Sequence, residues 1–593
     1  MRLFVYSVAA GLALALPAAA VTNDWYSTSS GFWTNNALWS LGAYPGSAGR
    51  TDDEARFTNN PAVHYTVSLS AADVGGALTN RTLELLDYVR AQVNLSGWPG
   101  SPLRFVLHNA GAAAARHLKV GQWGILNLSN VDLSITGTDP TIEFVDINAA
   151  LLSATNSKIV LENSGVVNAL RLRRGGSLSM AGGELVVTNP ARTARLGSAD
   201  GTFAATFTNT KLDLDHLDTA QASVPVVGGP SITLDCGALA TTGTIRLLTM
   251  ATDALVTFRG GMFQIGAVAY GGEMVGASRL VVTGSASVDV TNAIFMESTV
   301  SPYSNTQYVL TIAGSGSVTA AALYMGGNQG GQPVYPDMHL ANLNDDGCLT
   351  LNGVFMIGCR NGSRNGPGKF IMTGGRLIMA NPAWGVSNAI SVGSPYADGR
   401  YIQTGGTAFV GRVILYTDNS AADTNDYGAE TFVVASNATL MIRGDGLVRS
   451  STNAWLPGLL TASNLNFDGT VVLDPAPGAS TSQLPAFCRE IGAVREGLTN
   501  DFVLNRLDLS AMDGSEVLTV VAAGNVASNA LYIRRLDGLT PATAAAHLQS
   551  AINVYYDPDV SPSMGYRWRI PLAGGGRLIA LPTGRRGTFF LAW

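Results

Sequence analysis

The chain has 593 residues, 68 of them glycine; 46% are hydrophobic and 13% charged, with 36 Lys and Arg against 42 Asp and Glu. So large an apolar share excludes a disordered chain, and the mildly acidic balance lacks the basic patch that nucleic acid needs. Core size sets no limit at this length, so one long solenoid and several domains are both open.

Residues 1–20 read as a secretory signal peptide. Arg2 supplies the charge, residues 3–16 the apolar core, and Ala18-Ala19-Ala20 after Pro17 an A-x-A cleavage site. The apolar run falls short of the roughly 20 residues of a membrane-spanning helix, and no later run reaches that length. The mature chain is therefore expected outside the cell or on its surface, without a transmembrane helix.

Residues 21–60 hold Trp25, Trp33, Trp39, Pro45-Gly46, Asp52-Asp53-Glu54-Ala55 and Phe57. Three Trp this close form either a carbohydrate-stacking platform or a cap that seals the first coil of a solenoid, and the cap is preferred. Strand-like runs follow: HYTVSLS (64–70), WGILNLS (123–129), VDLSITG (131–137), KIVLEN (158–163) and SITLDC (231–236). Gly-Gly pairs open GGSLSM (175–180), GGELVV (182–187), GGPSITL (228–234) and GGMFQI (260–265).

Regular repeats come next. LVVTGSASV (280–288) and LTIAGSGSV (310–318) are offset by 30. GSVTAAALYMGG (316–327) aligns with GCLTLNGVFMIG (347–358) at 31, placing Val318 on Leu349, Tyr324 on Phe355 and Met325 on Met356. FIMTGGRLIM (370–379), YIQTGGTAFV (401–410) and FVVASNATLM (432–441) start 31 residues apart. Fixed-period similarity without helices is the mark of a β-solenoid. Each strand turns alternate side chains inward, and stacking the next coil about 4.8 Å above continues the core. Gly and Asn at the turns accept positive φ.

The run DWYSTSSGFWTNNALWSLGAYPGSAGRTDDEARF (24–57) and coils such as YIQTGGTAFVGRVILYT (401–417) resemble secreted bacterial passenger proteins. They are similar to the autotransporter-associated β-strand repeat and to pectin-lyase-like β-helices, over most of residues 22–470. The resemblance implies a right-handed parallel β-helix displayed outside the cell. Residues 480–593 are too short for that group's C-terminal membrane barrel, which leaves self-secretion without a vehicle.

Chemistry is sparse. KLDLDHLD (211–218) offers Asp213, Asp215, His216 and Asp218, either as a calcium or acid–base site or, preferred, as an alternating half-buried strand. TDNSAADTNDYGAE (417–430) carries Asp418, Asp423, Asn425, Asp426 and Glu430 but fails the EF-hand template, so a solvated loop is expected. NLNDDG (342–347) reads as a turn. Cys236, Cys348, Cys359 and Cys488 show no zinc spacing. Export permits disulfides, and Cys348 and Cys359 flank one strand–turn–strand; buried thiols are the alternative. No H-E-x-x-H, G-x-S-x-G, P-loop or G-x-G-x-x-G motif occurs. No catalytic, cofactor-binding or metal residue is therefore assigned.

In the last region Thr540-Pro541 opens a short helix over 542–552. YYDPDVSP (555–562) is a turn, and RWRIPL (567–572), RLIALP (577–582) and TFFLAW (588–593) are strands. The expectation is an all-β, right-handed parallel β-helix over 61–475, with a Trp-rich cap at 21–60. A C-terminal cap or sorting region with a short helix would occupy 476–593. The expected function is a secreted or surface-displayed structural and adhesive protein without catalysis, with cell-surface glycans or proteins as partners. The alternative is a polysaccharide lyase or glycoside hydrolase, which needs Asp, Arg or Lys gathered on one outer face by stacking.

Overall fold

The computed structural model describes residues 21–109, 116–137, 145–163, 169–197, 202–219, 231–236, 243–250, 254–270, 276–296, 306–326, 339–361, 364–380, 389–393, 399–415, 431–449, 465–474, 481–512, 515–564 and 569–583. The segments read as signal peptide (1–20) and as acidic loop (417–430) lie outside them. Two compact units divide the chain, Met1–Leu196 and Gly197–Trp593. Both are parallel β-solenoids.

In the first unit the strands obey a period of two. Along Tyr65–Ser70, Tyr65, Val67 and Leu69 are buried while Thr66, Ser68 and Ser70 face outward. The chain winds past three ladders. Face I stacks Thr22–Trp25, Glu54–Phe57, Thr82–Leu85, Leu118–Val120, Val145–Asn148 and Leu170–Arg173, all parallel. Face II stacks Tyr65–Ser70, Ala91–Ser96, Ile125–Ser129 and the first halves of Leu151–Asn163 and Gly176–Thr188. Face III stacks Ala77–Asn80, Leu103–Asn109, Val131–Gly137 and the second halves of those two long strands.

The corner between faces II and III requires left-handed backbone, taken by Asn130 (φ 53°), Asn156 (φ 48°), Gly182 (φ 75°) and Gly183 (φ 87°). Asn tolerates this region better than most residues. At Gly183 a Cβ would lie 2.0 Å from the Ser157 carbonyl oxygen. Ser157 Oγ ties the corner, donating to Thr155 O at 2.8 Å and accepting from Val131 N at 3.1 Å.

Trp25, Trp33 and Trp39 are buried around Phe57, with ring centroids 5.6–6.0 Å from it. Trp33 Nε1 donates to Pro45 O and Trp39 Nε1 to Trp33 O. These rings are packed inside and offer no surface platform. Residues 36–40 cross the open edge of Thr22–Trp25, with Tyr26 N donating to Leu38 O and Ser40 N to Asp24 O. An edge so occupied cannot template another chain.

The second unit repeats the three-ladder plan. The expected registers appear as backbone pairs: Leu280 with Leu310, Val318 with Leu349, Phe370 with Tyr401, and Tyr401 with Phe432. Two turns break the fixed offset. Tyr324 pairs with Met356 rather than Phe355, and Leu323 takes Phe355, because residues 352–354 hold one residue more than 321–322. Likewise Gln403 pairs with Val434, but after the longer turn 435–438 Thr407 pairs with Thr439. The turns absorb the extra residue, so side chains keep their face.

Inside, Phe370, Tyr401 and Phe432 stack at 5.5 and 4.9 Å. Tyr401 Oη donates to Gln403 Oε1, and Gln403 Nε2 donates to the carbonyls of Gly406 and Thr439. This buried amide is thereby satisfied.

Parallel pairing continues beyond residue 475. Thr481–Ala486 pairs with Val517–Ala522, which pairs with Leu548–Ser550. Val554–Tyr556 pairs with Arg577–Ala580. The helix expected over 542–552 is one turn, Ala544–His547. Leu548 is buried and already bonded in register with Leu518, so tertiary pairing overrides the Ala-rich helix propensity. Ile570–Pro571 forms an antiparallel bridge to Arg577–Ala580, and the strand expected at 588–593 lies outside the described residues. No helix among the described residues is long and apolar enough to cross a membrane.

Candidate functional site

The acidic strand Lys211–Asp218 alternates in burial over Lys211–Leu214 and breaks that pattern at Asp215, which is buried next to Leu214. Asp215 and Asp218 are buried, Asp213 and His216 are half-buried, and the next coil sets Thr244, Leu247 and Thr249 against Asp213, His216 and Asp218. Among the described residues no three His, Cys, Asp or Glu side chains converge as a metal site. Of Asn342–Gly347, Asn342 and Leu343 end the strand His339–Leu343 and only residues 344–347 turn: Asp345 has φ 51°, and its carboxylate accepts from Gly314 N of the preceding coil. Cys236, Cys348 and Cys488 are free thiols, and the side chain of Cys359 lies outside the description. Burial pushes the Cys236 thiol up to about 11 and Cys488 up to about 12, so neither forms a reactive thiolate at neutral pH.

Stacking does gather charge on the first unit. Along face I the outward register column reads Asp24, Arg56, Glu84, Lys119, Asp146, Arg171, alternating in sign. Face III reads Arg104, Asp132, Lys158, Glu184, also alternating. Asp146 is fully buried beneath two guanidiniums, Arg116 at 2.7 Å and Arg173 at 2.6 Å. Lys158 sits 2.9 Å from Glu184. Burial holds Glu84 above the usual carboxylate range despite the attraction of Arg56 and Lys119.

Face II differs in kind. Its outward side chains include Thr66, Ser68 and Ser70, then Gln92, Asn94 and Ser96, with Asn127 and Ser129 on the next strand. No outward position of these strands carries a charge. Asn127 Nδ2 and Gln92 Nε2 both donate to Asn94 Oδ1, at 2.9 and 3.1 Å. The coils repeat this hydroxyl and amide pattern about every 4.8 Å.

The corner where face I turns into face II carries two exposed aromatics that meet. Tyr88 (φ 67°), Trp123 (φ 72°), Ala149 (φ 50°) and Arg174 (φ 51°) occupy it on successive coils. Tyr88 N donates to Gln122 O, Trp123 N to Ala149 O, and Ala149 N to Arg173 O. Bulky side chains in this region of φ are rare and cost roughly 1–3 kcal/mol, sustained by the surrounding ladder. Tyr88 is 55% and Trp123 42% exposed. Their rings meet at 5.4 Å and 77°, and the Arg90 guanidinium lies 5.0 Å from the centre of Trp123. Below them Asp87 accepts from Lys119 Nζ (3.0 Å), Gln122 N (3.2 Å) and Asn148 Nδ2 (3.0 Å). Burial alone would raise the Asp87 carboxyl, but these donors and the Lys119 charge hold it below its ordinary range.

No protein-family model matches this chain, and neither do curated proteins or solved structures. The parallel β-solenoid that the passenger-protein resemblance implies is present.

Sequence reasoning did not find this corner. Tyr88 and Trp123 share no motif, and the Asp, Lys and Asn beneath them come from three different coils. The one signal available was the position of each aromatic immediately before a period-two run, at 91–96 and 125–129.

Proposed function

We propose that this protein is an exported, surface-displayed structural and adhesive β-helix of the passenger type, without catalytic activity. The observation that carries the reading is the contrast among the faces of the first unit. Face I and face III set their carboxylates in columns with cations, as in the Asp146 cluster, while face II offers a neutral lattice of hydroxyls and amides. A glycosidase needs two carboxyls facing each other across a substrate, and a carboxylate held by two guanidiniums is a poor base. One observation favours the alternative of a polysaccharide lyase or hydrolase: the raised Glu84, since perturbed acids collect at active sites. The test is retention and cleavage of neutral and acidic polysaccharides by the purified full chain, with and without calcium. Retention without new chain ends is expected; catalytic cleavage abolished by Glu84→Gln would overturn the adhesive reading.

A further inference from the structure

We infer that the Tyr88–Trp123 corner is a binding subsite for a neutral pyranose unit of a polysaccharide; this rests on the adhesive reading and names its ligand class. The two exposed rings stand nearly perpendicular, so a ring lying flat on one has its rim against the other. The C–H face of a sugar suits such a surface, because it is apolar while its rim carries hydroxyls. The floor supplies partners for that rim. Asp87 remains ionised and has acceptor capacity to spare, and Lys119 has used one of its three donors on it. Asn148, 6% exposed, donates to Asp87 while its own carbonyl oxygen has no donor.

Charge points the same way. Arg90 spends its Nη1 on the carbonyls of Pro61 and Ala62, and Lys119 is neutralised by Asp87. Arg90 keeps its charge over the Trp123 ring with Nη1 committed to two carbonyls, while Asp87 at the floor repels a carboxylate or sulfate. From the corner an extended chain passes onto uncharged face II, where Gln92, Asn94 and Asn127 stand immediately downstream of the two rings.

The experiment measures binding of the full chain to immobilised cellulose, mannan and starch, with polygalacturonate as the acidic counter-probe. Trp123→Ala and Tyr88→Ala should each weaken binding to the preferred neutral polymer roughly three- to tenfold. Trp123→Gly, which suits the positive φ, should lose binding equally while keeping the thermal melt of the parent. Trp123→Phe should keep most of it, and Trp98→Ala, exposed on another corner, should change nothing. Unchanged binding in both alanine variants, or preference for polygalacturonate, overturns the subsite and leaves adhesion standing. A parent protein that holds no polysaccharide and adheres to no cell surface overturns both.

Discussion

Replacing His339 with phenylalanine isolates one contribution to the pH dependence of the second unit. His339 is fully buried, its ring stacked on Tyr308 at 5.5 Å and 17°. Its Nδ1 donates to Pro367 O at 2.8 Å, which fixes the tautomer, and its Nε2 has no partner. Burial lowers its pKa from 6.5 to about 4, although the Pro367 carbonyl opposes the change. The unfolded chain therefore takes up a proton near pH 6.5 that the folded chain refuses until about 4. Stability is present above pH 6.5 and is lost as pH falls, by about 3 kcal/mol across the window and about 2 kcal/mol by pH 5. Phenylalanine keeps the ring stack, removes the titration, and forfeits one hydrogen bond worth about 1 kcal/mol at every pH. Solenoids open locally, so the assay is amide hydrogen-exchange protection of His339–Leu343 and Thr306–Ile312, corrected for intrinsic rates. The wild type should lose about 2 kcal/mol of protection between pH 7 and pH 5, and the variant much less. Parallel losses in the two proteins would refute the reasoning.

Asp87→Asn should destabilise the first unit at neutral pH, because a depressed carboxyl contributes stability above its unfolded pKa and loses it as pH falls through the folded value. Melting curves of the two proteins should converge in acid, and a gap that persists there would count against the ion pair. Gly183→Ala combines a φ of 87° with a Cβ 2.0 Å from Ser157 O, so a loss of about 3 kcal/mol or failure to fold is expected in a thermal melt. A parental melt would show that the corner can relax. Arg495 holds Asp557 at 2.6 Å and Asp559 at 3.0 Å. Arg495→Met should leave the 5%-exposed Asp557 uncompensated, cost about 1–3 kcal/mol, and hasten limited proteolysis after residue 480. Unaltered cleavage would show that the clamp contributes nothing.

The strand-level reading was legible wherever short-range physics decides it. Period-two burial and the 30- and 31-residue offsets reappear as backbone pairs. Tyr324 was set on the wrong partner because alignment by composition cannot see one extra residue in a turn when both neighbours are apolar. The helix at 542–552 was overdrawn because local propensity ignores the bond between Leu548 and Leu518 across 30 residues. The charge columns were invisible for a related reason: Asp24, Arg56 and Glu84 are neighbours only after coils of unequal length have been wound. Tyr88 and Trp123 gave no motif at all, since what marks them is a backbone angle shared by stacked corners.

The alternation on face I and face III has a bearing on how such a chain can change length. The coil with Glu84 on one face carries Arg104 on the other, the next has Lys119 and Asp132, and the next Asp146 and Lys158. Removing the coil of Lys119 and Asp132 would set Glu84 beside Asp146 and Arg104 beside Lys158, like against like on two sides at once. Removing two restores opposite neighbours on both. The first unit therefore has a parity: duplication or deletion in even numbers of its turns preserves its electrostatic registry, and odd steps do not. Gene-level growth of this architecture, or its redesign to another length, should proceed two turns at a time.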